Sequence, residues 1–367
     1  MTNTGFGRRG VQPAAADAGN ELPFRFNGSG KEYFGIWIVN ILLSIMTLGI
    51  YSAWAKVRNK RYFNGHTELD GHRFDYHASP MSILKGRIVV VVVLVVLNLL
   101  AQLHPALSLV VVAIYAVALP WVIIRGLRFN ANMTSYRNLR FHFEGTKWNA
   151  FKTYILWPIA GLLTLGGLFP FSSRANARFL GGGHSYGQSH FTADPPLKPY
   201  YRGLGVSLLI LIAALVVAGI VTFLSFMGAD GFSDTGETLA VLLSFAVAIP
   251  VYLAFIVAFI AYAAISRNVG FDALALEDGH QFRSTLTVGR YSWILITNFL
   301  LTIITIGLYI PWAKVRVARY LADNTFMVAN GDLDRFVEGQ IDDRGVASGE
   351  FLDIEGIDFG FERGTVK

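Results

Sequence analysis

The sequence predicts an all-α polytopic membrane protein with a small cytoplasmic β element. Three observations support this fold class: a shortage of charged residues, four long apolar stretches, and a motif that occurs three times. Of the 367 residues, 53% are hydrophobic and 15% are charged, whereas a soluble chain carries about 25% charge. Mean hydropathy is +0.46. These values exclude an ordinary soluble enzyme, and the absence of cysteine excludes disulfides and thiolate chemistry.

Four apolar stretches are long enough to cross a bilayer as helices. A spanning helix needs about 20 residues, because the hydrocarbon layer is about 30 Å thick and a helix rises about 1.5 Å per residue. The stretches are too long for single strands and show no alternation of apolar and polar residues. We therefore predict two transmembrane hairpins, built from residues 88–103 with 107–124 and from residues 206–227 with 239–265.

The charges around these stretches predict their orientation. The loop within the first hairpin contains no charged residue, and the loop within the second contains only Asp230, Asp234 and Glu237. Basic residues lie on the opposite flanks. Because Lys and Arg are retained on the cytoplasmic side, we expect both hairpins to return to the cytoplasm and both termini to lie there. The same rule accounts for the net charge of +6, so nucleic-acid binding is not predicted.

A sixteen-residue motif provides the strongest evidence for internal organisation. TLGIYSAWAKVRNKRY at residues 47–62 recurs as TIGLYIPWAKVRVARY at residues 305–320, and a weaker copy, TLGGLFPFSSRANARF, lies at residues 164–179. Each copy follows an aromatic strand and an apolar segment, so the unit reads strand, apolar segment, break, basic helix, strand. The predicted organisation is a disordered tail (1–23), unit 1 (24–80), hairpin 1 (81–127), unit 2 (128–197), hairpin 2 (198–267), unit 3 (268–330) and an acidic tail (331–367).

The basic helices of units 1 and 3 place cations directly after a tryptophan. An indole at headgroup level beside Lys and Arg is typical of an interfacial helix that contacts anionic lipid headgroups. An ordinary positive-inside stop explains the same pattern. The candidate residues are Trp54, Lys56, Arg58 and Arg61 in unit 1, and Trp312, Lys314, Arg316 and Arg319 in unit 3.

The apolar segments of the three units, residues 34–51, 151–169 and 292–310, are positively charged at both ends. If each segment crossed the membrane, one basic helix would lie outside, against the positive-inside rule. The conflict disappears if each segment enters and returns, with breaks at Gly49, Gly166 and Gly307. The alternative is a protein with seven spans and an inverted repeat, as in secondary transporters.

The same motifs resemble a known family. The FxFxG strands, the WAKVR block and the late stretch NTFMVANGDLDRF are similar to those of the YjgN-like family of bacterial inner-membrane proteins, which is defined by a domain of unknown function. The resemblance implies a multi-pass protein of the bacterial inner (plasma) membrane. It implies no established activity and no catalytic residues. Unit 2 departs from the pattern, with Phe171, Ser172 and Ser173 where Trp, Ala and Lys stand in the other units.

Two sets of polar residues are candidates for binding sites. His66 with His72 and His184 with His190 share a spacing that could hold a transition metal, but they have no consistent carboxylate partner, so turn histidines are the alternative. Asn40 and Asn298 lie at equivalent positions in apolar segments, where an amide either bonds a neighbouring helix or contacts a substrate.

These observations leave two hypotheses of function. The first is a transporter or channel-like protein for a small solute, and the second is a non-enzymatic membrane scaffold or lipid-binding protein. An enzyme is not predicted, because no nucleophile–base pair or metal motif is evident, and no cofactor is implied. The acidic tail docks on the basic cytoplasmic face of the same protein, docks on a partner, or is solvated and disordered. The expected partners are the bilayer and anionic headgroups, and the oligomeric state is left open.

Overall fold

Ten short strands alternate with helical hairpins in the computed structural model, which describes residues 21–228, 234–277 and 279–347. Every strand has three to six residues, and each pairs with two neighbours. The strands are β1 (Glu21–Phe26), β2 (Thr67–Leu69), β3 (His72–Tyr76), β4 (Thr134–Tyr136), β5 (Leu139–Phe143), β6 (His184–Tyr186), β7 (Ser189–Ala193), β8 (Leu274–Leu276), β9 (Gln281–Ser284) and β10 (Thr325–Val328).

The helices form five hairpins, and each hairpin connects two strands. The third hairpin contains one π-helical turn, at Lys152–Leu156. The helices are α1 (Gly30–Met46), α2 (Ser52–Gly65), α3 (Pro80–Leu103), α4 (Pro105–Asn132), α5 (Lys147–Phe151), α6 (Trp157–Leu163), α7 (Phe169–Gly181), α8 (Leu197–Gly228), α9 (Asp234–Asp272), α10 (Val288–Ile304), α11 (Ile310–Asp323) and, after the last strand, α12 (Leu333–Ala347).

The strands close into an antiparallel barrel, in which β1 pairs with both β2 and β10. The two strands that flank each hairpin pair with each other, so all five hairpins leave from one end of the barrel, the helix end. Tight turns join the strands at the opposite, turn end. At two of them both central residues have positive φ, Asp70 with Gly71 and Arg137 with Asn138, which is the geometry that twisted two-residue hairpins favour.

The hairpins differ in length. Helices α3 and α4 have 24 and 28 residues and extend about 36–42 Å, whereas α1 and α2 have 17 and 14 and extend about 21–26 Å. The four helices α3, α4, α8 and α9 are long and apolar enough to span a membrane, and they contain the four stretches predicted to do so. The structure thus combines two long hairpins with three short ones.

The three short hairpins, which we call dipping hairpins, break where the sequence predicts. Gly49, Gly166 and Gly307 all have φ near +90°, and the residue before each also has positive φ. Those preceding residues lie at the tips of the hairpins: Leu48 is 94% exposed, Leu165 99% and Ile306 94%. Each segment leaves the barrel and returns to it, which is the geometry that the re-entrant prediction requires. Apolar tips of this kind are suited to lipid rather than water.

The interior of the barrel is apolar. One phenylalanine on each odd-numbered strand stands opposite an apolar or tyrosine side chain of the next strand, as in the pair Phe24 and Leu69. The rings of Phe24 and Phe74 stack 6.2 Å apart. The members of this cross-strand set are Phe24–Leu69, Phe74–Tyr136, Phe141–Tyr186, Phe191–Leu276 and Phe282–Met327.

Helix α12 covers the turn end of the barrel. Its Leu333 and Val337 are buried in the barrel core. Arg137, in the turn between β4 and β5, donates hydrogen bonds to Asp334 of α12 and, at 2.8 Å, to Asp70. Asp334 thus bonds one turn directly, and Arg137 links that turn to the neighbouring one.

The prediction of an all-α protein with a small β element is wrong, because the β structure is a closed barrel to which every hairpin contributes. Strands of three residues such as β4 and β6 are too short to show alternation, and each pairs partly with residues more than forty positions away. Two structural elements extend into the segments that the sequence predicts to be terminal tails. Strand β1 begins within 1–23 and α12 lies within 331–367, while residues 1–20 and 348–367 lie outside the described chain.

Docking of α12 depends on its apolar face, so Leu333→Ala should release the helix. Truncating a buried leucine costs about 2–5 kcal/mol, and trypsin should then cleave faster after Arg335, an exposed residue of α12. The measurement is limited proteolysis of the detergent-solubilised protein. Glu338→Ala, on the exposed face, is the control, and equal cleavage rates for both variants would contradict a docked helix.

Candidate functional site

One arginine on the returning helix of each hairpin bonds the end of a neighbouring strand. Arg61 donates to the carbonyl of Tyr76 at 3.2 Å, and Arg319 donates to the carbonyl of Gly28 at 2.8 Å. These strand-end arginines hold the helices on the barrel. The set is Arg61, Arg128, Arg178, Arg267 and Arg319, of which Arg178 bonds the Asp194 carboxylate and Arg267 the hydroxyls of Ser284 and Thr325.

The structure brings together candidates that the sequence separates. Asn40 is buried and accepts a hydrogen bond from Arg58 at 3.4 Å. In unit 3, buried Asn298 accepts from Arg316 at 3.2 Å and donates to the carbonyl of Ala313 at 3.2 Å. Both amides therefore join the two helices of a dipping hairpin, and each orients an arginine that is predicted to contact lipid.

Unit 2 replaces both members of this pair. Trp157 occupies the position of Asn298, and Ala175 occupies that of Arg316. The two side chains line the same cavity, of about 340 Å³, between the helices of the hairpin. A large apolar ring beside a small residue thus takes the place of an amide–guanidinium pair.

Three arginines converge on a cavity of about 480 Å³, which we call the seam cavity because it lies where the last hairpin meets the first. Arg316 and Arg319 come from α11, and Arg290 comes from the start of α10. Arg290 forms no hydrogen bond or ion pair with any residue that the structure describes. Ser29 and Gly30, at the start of α1, and the exposed Trp312 also line the cavity, and Asp323 is the one acid among the described residues of the lining.

A second cationic cavity, of about 500 Å³, lies against α2 and is lined by two lysines of unit 1. Lys56 and Lys60 line it together with Ser52 and Asn59, and no acid is present among the lining residues that the structure describes. Arg87 of α3 approaches the same place and donates a hydrogen bond to Ser52. We call it the Lys56 cavity. Trp54 packs instead beside Ala53 and Val57, and Lys314 is exposed on α11.

The paired histidines are not brought together. His72 stands opposite Leu69 at the turn end, whereas His66 lies at the helix end, where its Nδ1 is 2.7 Å from the carbonyl oxygen of Tyr62. His190 is opposite Ser185 and therefore on the other face of the barrel wall from His184. Among the described residues, no group of three or more His, Asp or Glu side chains is placed to hold a metal ion.

Comparison with known proteins places the chain in a family. The family model described as "Bacterial protein of unknown function (DUF898)" matches residues 21–354. The chain belongs to this family. It is 27% identical over 353 residues to "Inner membrane protein YjgN" of Salmonella typhimurium strain LT2, covering 84% of the chain and 88% of that relative. It is 26% identical to the protein of that name in Escherichia coli strain K12, covering 85% and 89%. No solved structure matches.

These relatives confirm the resemblance found in the motifs, and together with the four membrane-capable helices they identify a bacterial inner-membrane protein. The family is one of unknown function, so the comparisons assign no activity. The sequence did not predict that Arg290 lies beside Arg316 and Arg319. Arg290 occupies the position of Glu32 in unit 1, so no repeated basic residue marks this position as part of a site.

A double-mutant cycle can test whether Asn298 and Arg316 interact. The two residues are replaced by the Trp and Ala that stand at the equivalent positions of unit 2. Arg316→Ala leaves Asn298 and Thr297 without their donor, which should cost about 1–3 kcal/mol. Asn298→Trp alone should crowd Arg316. The double variant Asn298→Trp/Arg316→Ala should lose less stability than the sum of the single variants, measured by thermal unfolding followed through tryptophan fluorescence. Strictly additive losses would show that the two positions do not interact.

The buried imidazole of His184 should make stability depend on pH. Burial lowers the pKa of His184, although the contact of Nδ1 with the Leu180 carbonyl acts in the opposite direction. Because the unfolded imidazole, with a pKa of about 6.5, then binds the proton more tightly than the folded one, stability should fall as the pH drops below that value. We expect a smaller loss of Tm between about pH 7.5 and 5.5 in His184→Gln than in the wild type. His72→Gln, on an exposed residue, should behave as the wild type, and an unchanged loss in His184→Gln would refute the assignment.

Proposed function

We propose that this protein is a non-enzymatic, lipid-binding protein of the inner membrane that holds anionic phospholipids in the cationic cavities of its dipping hairpins. The observation that carries the proposal is the seam cavity, where the described lining contains three arginines and one acid. The guanidinium of arginine matches the geometry of a phosphate and binds it through two parallel hydrogen bonds.

The seam cavity is arranged along the direction of a lipid molecule. Helix α11 runs from Ile310 near the exposed tip to Asp323 near the barrel. Tyr309 and Trp312 line the cavity towards the tip, whereas Arg290 and Arg319 line it towards the barrel. This order places the cations nearer the barrel and the aromatic rings, which favour the membrane–water interface, nearer the tip.

Charge supports the same proposal. Cations that lie close together repel one another, and this repulsion is not offset where no acidic partner is present. In the Lys56 cavity, Lys56, Lys60 and nearby Arg87 form no ion pair with a carboxylate among the described residues. A lipid phosphate would neutralise either cluster, and cations near an anionic leaflet gain about 1 kcal/mol each.

The orientation that follows places the barrel in the cytoplasm. Both β1 and β10 have their outer ends at the turn end of the barrel, so the described chain begins and ends on the side away from the hairpins. The positive-inside rule assigns the basic helix end to the inner leaflet. With this orientation both termini are cytoplasmic.

The transport hypothesis has less support. Within the described part of the chain, the barrel axis is filled by aromatic and aliphatic side chains and is covered by Leu333 and Val337 of α12. The hydroxyls of Tyr136 and Tyr186 on that path already donate to the backbone carbonyls of Leu69 and Tyr136, so a polar solute would lose its hydration without compensation. We therefore develop the lipid-binding hypothesis.

Arg290 provides the sharpest test, because it has no structural partner among the described residues. We expect Arg290→Gln to reduce phosphatidylglycerol binding about tenfold, since a charge-assisted hydrogen bond contributes about 1.5–3 kcal/mol. Binding is measured by native mass spectrometry of the full chain with phosphatidylglycerol or phosphatidylcholine added.

The control is Arg335→Gln, which makes the same change of charge at the turn end, where Arg335 is 88% exposed. It should retain wild-type binding. Equal affinity of the wild type for both lipids, or equal binding by the two variants, would overturn the proposal.

A further inference from the structure

The largest cavity described lies apart from the cationic cavities, at the helix end of the barrel, and we call it the barrel-mouth cavity. It has a volume of about 570 Å³ and is lined by the inner faces of α7 and α9, by Tyr200 of α8 and by barrel side chains including Phe141 and Phe191. Its size falls in the range of about 300–1,000 Å³ that is typical of small-molecule sites. Most of its lining is apolar.

Small residues on two facing helices create this space. Ser173, Ala177 and Gly181 follow one another at intervals of four on α7, so they share one helix face. On α9 the lining residues Ala263, Ser266 and Gly270 are similarly spaced and similarly small. The two faces leave a gap where longer side chains would meet.

The sequence of unit 2 explains why the cavity lies at this hairpin. Ser173 and Ala177 occupy the positions of Lys56 and Lys60 in unit 1. The departure of the second copy from the WAKVR motif therefore removes two long cationic side chains and opens the space that they would fill. The weakest copy of the motif is the one with the roomiest and most apolar surroundings.

Two side chains of the cavity lining, Tyr200 and Arg267, are suited to bind an anionic oxygen. Tyr200 is 1% exposed and its hydroxyl has no hydrogen-bond partner; a buried hydroxyl left unbonded costs about 1–3 kcal/mol. Arg267 also lines the cavity. It donates to Ser284 and Thr325 and lies 4.3 Å from the ring centroid of Phe271, but it forms no ion pair with a carboxylate among the described residues.

We infer that the barrel-mouth cavity binds a single-chain amphiphile with an anionic oxygen headgroup, either the carboxylate of a fatty acid or the phosphate of a lysophospholipid. The acyl chain contacts the apolar lining, where each buried CH₂ contributes about 0.8 kcal/mol. The headgroup accepts a hydrogen bond from Tyr200 and neutralises Arg267. This site shares no residue with the seam cavity and does not depend on the function proposed above.

The test uses the full chain in phosphatidylcholine nanodiscs with a fluorescent polyene fatty acid as the probe. We expect saturable binding of one probe per chain. Palmitate should displace the probe, whereas methyl palmitate, which lacks the charge, should displace it at least tenfold less well. Displacement by lysophosphatidylglycerol identifies a phosphate ligand, and displacement by palmitate alone identifies a carboxylate ligand. Equal displacement by palmitate and methyl palmitate would overturn the inference.

Two variants test the cavity itself. A Cβ atom at Gly270 would lie 3.6 Å from the Cβ of Ala177, so Gly270→Leu should fill the cavity and reduce probe affinity at least tenfold. Tyr200→Phe keeps the shape and should reduce palmitate affinity about fivefold. The matched controls are Gly219→Leu on α8, where a Cβ meets no atom within 4 Å, and Tyr252→Phe, on a residue that is 70% exposed.

Circular dichroism checks that each variant is folded. If Gly270→Leu does not fold, Tyr200→Phe and the comparison of palmitate with its methyl ester still decide the result. Variants that bind like their controls would overturn the inference. Arg335→Gln, at the exposed turn end, should leave probe binding unchanged.

Discussion

The pairing of the two strands that flank each helical hairpin is the constraint on which this architecture depends. Neighbouring strands in a sheet lie about 4.8 Å apart, so the chain must return from every excursion to within one strand spacing of its starting point. Pairs such as Phe24 with Leu69 and Phe141 with Tyr186 enforce this return for hairpins of very different length. Long hairpins are long enough to cross a bilayer and come back, and short ones turn back after about 21–26 Å. One β ladder thus imposes the same topology on both.

The structure consists of a repeated frame, which is the barrel with its attached helices, and of cavities between the helices that differ from unit to unit. Strand-end arginines and cross-strand phenylalanines occur in all five hairpins, and they account for the frame. The spaces between hairpins depend on residues that differ from unit to unit. Lys56 makes one space cationic, and Ser173 at the equivalent position makes another apolar. Specific chemistry therefore arises where the copies have diverged.

The sequence alone was sufficient for the membrane helices and the breaks but not for the barrel. Long apolar stretches and a glycine that needs positive φ, such as Gly49, are local signals. Strand β4 has only three residues, and its identity as a strand depends on partners in β3 and β5. The tight turns were the available signal: Asp70–Gly71 between short aromatic segments is typical of a hairpin. The convergence of Arg290 with α11 and the space beside Ala177 depend on tertiary packing and leave no local pattern.

The pairing of β1 with β10 has a consequence for biosynthesis. Leu22 faces Met327, and at translation rates of about 5–20 residues per second the second strand emerges from the ribosome roughly 15–60 s after the first. During that interval one edge of β1 has no partner, and an unpaired edge is a template for association with other chains. A nascent chain of this protein must keep that edge protected, through chaperones or through its hairpins already held by the translocon, until the final strand arrives.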